Sequence, residues 1–186
     1  SSPSRGLGDV YKRQMTTCAT SHAIMCNTAL DMQRDPVYAS TVNNLVARTS
    51  KVEYGGESQS WHLVHYLVEE IGLDKVRDAV KNPLKMNIAA YYGPDMQREG
   101  ACAGDDPFMP TYMEQLIEAL GGTPIDYESK CNSVGSTSML TLEDSSLAMT
   151  AAVLSDAIQS GADLIVSACT ISPVSYTHLR AHETDY

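Results

Sequence analysis

Three short apolar runs between Met86 and Ser172 are separated by segments of helical period, and this alternation constrains the fold more than any other feature. The first run, Met86 to Tyr92, is halted by Gly93-Pro94. The second is Thr123 to Tyr127, and the third is Ala162 to Ala168, ending at Cys169-Thr170-Ile171-Ser172. Asp106-Pro107 can initiate the first intervening helical region, which places Met113, Leu116, Ile117 and Leu120 on one face and closes at Gly121-Gly122. The second carries Leu147, Met149, Ala152, Val153, Ala157 and Ile158, with Ser138 or Thr141 as cap, Glu143-Asp144 in the first turn and Gly161 as the stop. Strands alternating with helices of this length predict βαβ crossovers in a parallel sheet. Functional groups in such sheets gather beyond the carboxyl ends of the strands. Three loops are expected to meet there: one opening at Pro94, one holding Cys131 to Ser138, and one opening at Cys169.

The preceding residues read as helical. Met15 to Leu30 begins in a Cys-centred turn and continues as a helix with Ala23, Met25, Cys26 and Leu30 as its apolar positions. Asp35-Pro36 starts a helix reaching about Thr49, since proline suits a first helical turn. Tyr54-Gly55-Gly56 breaks the pattern. Ser58 or Ser60 then caps a predicted helix whose apolar face is Trp61, Val64, Leu67, Val68 and Ile71, ended by Gly72. A short helix over Leu73 to Val80 stops at Asn82-Pro83. The expected fold class is therefore α/β: a βαβαβ parallel-sheet domain over residues 83–174, preceded by a helical segment. Residues 1–14 and 175–186 resemble translated sequencing-adapter sequence and are expected to be artefactual tails, which removes His178 and His182 from functional consideration.

Composition excludes several classes. The formal charge of -10 and the sequence pI of about 4.8 argue against a nucleic-acid surface. No apolar run approaches the roughly 18 residues of a membrane span, and no secretory signal pattern is visible. The five cysteines, Cys18, Cys26, Cys102, Cys131 and Cys169, are widely spaced with no Cys-x-x-Cys pair, which fits a reducing, cytoplasmic compartment.

Cys169, at the turn after the third strand, reads equally as a metal ligand or nucleophile and as a small buried apolar residue. Cys131, two residues before Ser133-Val134-Gly135, carries the same two readings, whereas Cys26 belongs to a helix face. His62 and His65, three apart on the predicted helix, have a spacing that metal ligation allows, but no third ligand is evident. Asp105-Asp106 suits a helix start better than a cation site, and Gly93 and Gly135 can bring backbone amides near an anion. No phosphate-binding glycine pattern follows any strand.

The segments HLVHYLVEEIGLDKV, NPLKMNIAAYYG, DDPFMPTYMEQLIEALGGTPIDYESK, the MLT of SMLTLED, and SGADLIVSAC resemble the B subunit of heterodisulfide reductase. That family is built from two cysteine-rich CCG domains, and the likeness runs from about Thr17 to Pro173. The resemblance implies that residues 15–82 are the end of a first CCG domain plus a helical linker, and that residues 83–174 are the second. In the family, each domain carries Cys, then Cys-Cys-Gly, then Cys-x-x-Cys, wrapped around a noncubane [4Fe–4S] cluster that cleaves a disulfide joining two thiol coenzymes.

This chain departs from that pattern. By resemblance, Cys18 matches the first cysteine of the earlier Cys-x-x-Cys, with Ser21 at its partner position; Cys169 matches the first of the later pair, with Ser172 as partner. The family's YYGC stands as Tyr91-Tyr92-Gly93-Pro94, and Cys-Cys-Gly falls on Ser133-Val134-Gly135. Cys131 is a displaced surrogate, and Cys102 would have to join it in any altered cluster. No catalytic, cofactor-binding or metal-ligating residue is therefore assigned, and no cofactor is expected for this chain. The leading expectation is a component of an anaerobic redox complex that is similar to the heterodisulfide reductase B subunit, with a cluster-free second site acting structurally. Its implied partners are an iron–sulfur, C-like subunit and a flavin, A-like subunit, through which membrane association can arise. The alternatives are an oxidoreductase component with an altered iron–sulfur cluster and a small-molecule binding protein that uses the crevice.

Overall fold

The computed structural model describes residues 13–50, 53–97, 104–173 and 177. The central strand is β3 (Asn87–Tyr91), flanked by β4 (Thr123–Ile125) and β5 (Leu164–Ser167), all parallel, in the order β4-β3-β5. Ile88 lies opposite both Pro124 and Leu164, which sets the register. The first strand of this sheet in sequence is thus the middle strand in space, and it is buried on both faces from Ile88 to Tyr91. Its alternation divides the core in two. Ile88, Ala90 and Tyr92 pack with Val64, Met113 and Ile117 on one side; Ala89 and Tyr91 pack with Tyr127, Val134, Val153 and Ala157 on the other. Side chains on successive strand residues point to opposite faces, so one short run supplies both clusters.

Helix α5 (Tyr112–Ala119) follows β3, and α6 (Glu143–Gln159) follows β4. The expected α/β parallel-sheet class is what the structure has. The start of α5 lies later than Asp106-Pro107 suggests. The Asp106 carboxylate instead closes a turn by accepting the Phe108 and Met109 N–H groups, at 2.7 and 2.9 Å. Asp105 satisfies the helix entrance by accepting the Thr111 and Tyr112 N–H groups, at 2.8 and 2.7 Å. Neither Ser138 nor Thr141 caps α6: Leu142 occupies the N-cap without a side-chain bond, while the Ser138 carbonyl accepts the Thr141 and Leu142 N–H groups. The buried stripe of α6 is Ser146, Thr150, Val153 and Ala157, at ideal helical spacing. Met149 and Ile158, two of the apolar residues the sequence places on this helix, are exposed. Small residues let α6 approach the sheet closely, and its two hydroxyls serve the loop beside it.

The earlier region is built differently. Strands β1 (Arg13–Thr16) and β2 (Gln59–His62) form a two-stranded parallel sheet with Thr16 opposite His62. Between them run α1 (Ala19–Arg34) and α2 (Pro36–Val46). Asp35 caps α2 by accepting the Val37 and Tyr38 N–H groups, at 2.8 and 3.1 Å, with Pro36 in the first turn. No residue of α2 is buried. The helix expected from Ser58 or Ser60 is a strand as far as His62. Helix α3 (Leu63–His65) begins only there, with the His62 Nδ1 accepting the Val64 N–H, and continues as a π-helical segment over Tyr66–Ile71. Helix α4 (Leu73–Ala79) follows Gly72, as the sequence predicts. Strand β1 starts inside the segment that reads in sequence as an adapter-like tail.

Strand β5 is less buried than its apolar sequence predicts. Leu164 and Val166 are 48% and 37% exposed, because they line an apolar cavity of about 290 Å³ shared with Leu63, Leu67, Leu116 and Leu120. No helix among the described residues is long and apolar enough to cross a membrane.

Candidate functional site

The three loops expected to converge do so at the carboxyl end of β3. Tyr91, Tyr92, Gly93, Pro94, Ser133, Val134, Cys169 and Ser172 line one cavity of about 210 Å³, joined by Thr20 from the start of α1. Gly93 (φ 68°) and Gly135 (φ 67°) turn the first two loops in the left-handed region, where glycine carries no Cβ penalty. A Cβ at Gly135 would sit 3.2 Å from the Ser146 backbone. The Ser146 hydroxyl donates to the Gly135 carbonyl at 2.9 Å, and the Thr150 hydroxyl donates to the Val134 carbonyl at 3.2 Å. The two polar residues buried on α6 thus hold the Ser133-Val134-Gly135 turn against the helix.

Each buried phenol around β3 has a partner. The Tyr91 hydroxyl donates to the Asn132 carbonyl at 2.7 Å, and that of Tyr127 donates to the Ala90 carbonyl at 3.1 Å. The Tyr92 hydroxyl donates to the Glu114 carboxylate and accepts the Met113 N–H. Burial is the first cause of the rise in the Tyr91 hydroxyl to about 12, opposed by its bond to Ser172. Burial and the Glu114 carboxylate push Tyr92 well above the ordinary phenol range. These groups stay protonated and structural at neutral pH.

The sulfurs are distributed unevenly. Cys169 is buried on the cavity wall, with the Thr20 Oγ1 3.8 Å from its Sγ. Cys18 is the N-cap residue of α1 and packs against the core cluster that contains Cys169. Burial alone would raise the Cys18 thiol; hydrogen bonds from the Ser21 side chain and backbone, Thr170 and Cys169 outweigh it and lower Cys18 to about 7. Cys131 does not line the cavity. Its Sγ accepts from the Gln97 Nε2 at 2.8 Å, and burial, only partly offset by that bond and by Lys130, raises its thiol. Cys26 lies elsewhere, 3.7 Å from the His22 Nδ1. Cys102 and the histidines 178 and 182 lie outside the described residues.

A sulfur-held iron–sulfur cluster typically draws on four thiolates. Among the described residues lining this cavity Cys169 is the one thiol; Pro94 and Val134 offer no side-chain donor, and Ser133 and Ser172 offer hydroxyls. This donor set does not fit the thiolate cage that the matched positions supply in the family.

The His62 and His65 pair has a third imidazole beside it that the sequence spacing does not reveal. His22, from α1, completes a triangle with ring centroids 5.9, 5.9 and 5.8 Å apart. The rings meet tilted or edge-on; the nitrogens of His62 and the Nδ1 of His22 have partners, whereas the buried His65 Nε2 has no hydrogen-bond partner among the described residues. The His62 Nε2 bonds the Ala168 carbonyl at 2.8 Å while its Nδ1 accepts from Val64, and the His22 Nδ1 lies 3.1 Å from the Ser60 Oγ. Burial, then neighbouring histidines, lower His22 and His65 to about 4, with Asp105 opposing the shift at His65. Burial also lowers His62, against bonds to the Ala168 and Thr17 carbonyls. Among the described residues no group of three or more His, Cys, Asp or Glu is arranged to hold a metal ion. The triangle packs three elements together, and no sequence motif announces it, because its members come from α1, β2 and α3. His62 also anchors the residue before Cys169 through its Nε2.

No family model matches the chain. It is 25% identical over 158 residues to the B subunit of the ferredoxin:CoB-CoM heterodisulfide reductase of Methanosarcina mazei, covering 83% of this chain and 52% of that protein. It is 25% identical over 162 residues to the B subunit of the ferredoxin/F(420)H(2)-dependent CoB-CoM heterodisulfide reductase of Methanosarcina acetivorans, covering 83% and 52%. A protein of Archaeoglobus profundus, named as similar to the heterodisulfide reductase B subunit, is 25% identical over 169 residues, covering 84% and 54%. The chain spans about half the length of these curated relatives. Over most of its length the chain is thus similar to B subunits of heterodisulfide reductases and to a protein named as like them.

Proposed function

We propose that the chain is a B-type component of an anaerobic redox complex whose second cysteine site holds no cluster and acts structurally. The observation that supports this reading is the donor set of the cavity: among the described residues one thiol, Cys169, lines it, where the family's pattern implies a cage of cysteines. The displaced Cys131 is bonded to Gln97 away from that cavity, so it does not restore the set. The fold does not depend on those sulfurs, because the sheet rests on the apolar faces of β3 and the small stripe of α6.

On this reading, residues 83–174 are the second CCG-type domain and residues 15–82 are the end of the first plus its linker. The complex has iron–sulfur and flavin components of the heterodisulfide reductase kind, in the cytoplasm. Support for a complex comes from the relatives, two of which are named as subunits of a reductase.

The test is iron and acid-labile sulfide per chain, with an absorption spectrum, after anaerobic reconstitution. The expected result is a folded chain without iron. About four irons per chain with a broad visible band would replace this reading with that of an electron carrier.

A further inference from the structure

A separate cavity of about 430 Å³ lies between α1, β2 and the π-helical segment after α3, and it shares no lining residue with the cavity that holds Cys169. Its closure depends on Gly56, which has a φ of 82° and packs so tightly on α1 that an added Cβ would meet the Ala29 carbonyl at 2.5 Å. The Gln33 Nε2 donates to the Gly56 carbonyl at 2.7 Å and holds the loop there. Other polar groups of the wall bond one another: the His22 Nδ1 lies 3.1 Å from the Ser60 Oγ, and the Cys26 thiol donates to the Ser60 carbonyl at 3.9 Å.

His65 is the exception. It is part of the wall and 4% exposed, and its Nε2 is buried without a hydrogen-bond partner. Its other nitrogen lies on an acidic side: a Cβ added at Gly104 would stand 3.3 Å from the His65 Nδ1 and 2.3 Å from the Glu69 Oε1. That neighbour favours the proton on Nδ1, which leaves a lone pair on Nε2. A buried acceptor without a donor costs free energy that a ligand's N–H recovers. The charge of the wall selects the kind of donor. Glu57 and Glu69 supply carboxylates and Trp61 an aromatic ring, and among the described residues lining the cavity there is no Lys or Arg. Such a wall favours a cation. A metal ion does not suit it, since no three His, Cys, Asp or Glu among the described residues are arranged to hold one.

We infer that this cavity binds a small organic ligand through a primary ammonium group, which donates to the His65 Nε2 and is balanced by the Glu69 carboxylate. The inference does not rest on the state of the cysteine site. Free alkylamines and lysine side chains carry the same group, and the test separates them.

The experiment titrates the full chain with n-butylamine near neutral pH and follows the emission of Trp61, the single tryptophan, with calorimetry as a second readout. The expected result is saturable binding. Tetramethylammonium, charged but without an N–H, and n-butanol, without a charge, are expected to bind at least about tenfold more weakly, the loss of one charge-assisted hydrogen bond. Glu69→Gln, at an exposed position, should weaken n-butylamine about tenfold, and His65→Phe should do so at least as much. Glu118→Gln, exposed and outside the cavity, should leave binding unchanged. Circular dichroism checks the fold of each variant; if His65→Phe does not fold, Glu69→Gln and the tetramethylammonium comparison still decide. Nα-acetyl-lysine methylamide binding as tightly as n-butylamine assigns the site to a lysine side chain, and weaker binding assigns it to a free amine. No saturable binding of either amine, equal binding of tetramethylammonium, or undiminished affinity in folded Glu69→Gln overturns the inference. None of these outcomes bears on iron at the cysteine site.

Discussion

The two parallel sheets of this protein are stabilised in opposite ways. The β4-β3-β5 sheet has a central strand buried on both faces, with α5 and α6 supplying two apolar clusters. The β1-β2 sheet has two four-residue strands, beside an α2 that buries nothing. It relies on α1, the three-histidine triangle and the bond from His62 to the Ala168 carbonyl. One region is held by burial, the other by buried polar groups that tie it to the first. The cysteine turns follow this division, with Cys169 at the end of the well-packed sheet and Cys18 at the exit of the slight one.

The largest expected effect tests the packed side. Ile88 is 2% exposed at the centre of β3, so Ile88→Ala should cost about 3 kcal/mol in transfer and cavity terms. Leu45 on α2 is 56% exposed, and Leu45→Ala should stay within about 0.5 kcal/mol. Denaturant midpoints for the pair measure the contrast directly, and equal losses would abolish it.

Acid tests the other side. His22 and His65 are lowered by burial and by neighbouring histidines to about 4 in the folded chain, against an ordinary value of 6.5. The unfolded chain therefore takes up protons first, and stability present above pH 6.5 is lost as pH falls through that window towards 4. The shift sets an upper bound of about 3 kcal/mol on that loss for each histidine. Urea midpoints measured across this range, with His22→Gln as the comparison, should show a shallower pH dependence in the variant. An unchanged slope would remove the triangle from the account. The smallest effect concerns the loop held by α6. Thr150→Val removes the hydroxyl bonded to the Val134 carbonyl and should cost about 1 kcal/mol by thermal or chemical melting.

The same contrast explains what the sequence could disclose. Strand β3 is legible because its apolar run ends at Gly93-Pro94, and α5 because Met113 and Ile117 fall on one helical face and are buried. Strand β2 is not legible, because Trp61, Val64, Leu67 and Val68 keep a helical period straight across the strand–helix junction at His62. Only pairing with β1, a non-local fact, makes Gln59–His62 extended. The inward stripe of α6 escapes a sequence reading for another reason: Ser146 and Thr150 are polar by composition but are buried because carbonyls await them. Of the candidate site, Pro94, Ser133, Val134, Cys169 and Ser172 do assemble in one cavity, as the convergence of loops predicts. Cys131 does not join them, since one helical turn from Glu128 to Cys131 directs its sulfur to Gln97. The nearness of Cys18 to Cys169 and the place of His22 carry no local signal.

The slightness of the β1-β2 sheet also has a consequence for local opening. Two short strands on their own are marginal, and regions with few buried apolar contacts open at lower free energy than the global transition. Amide protons of β1 should therefore exchange through a partial unfolding that leaves β3 protected. The Cys18 turn rides on the part that opens first, while Cys169 stays with the part that opens last, so the two turns that border the cavity respond to different openings.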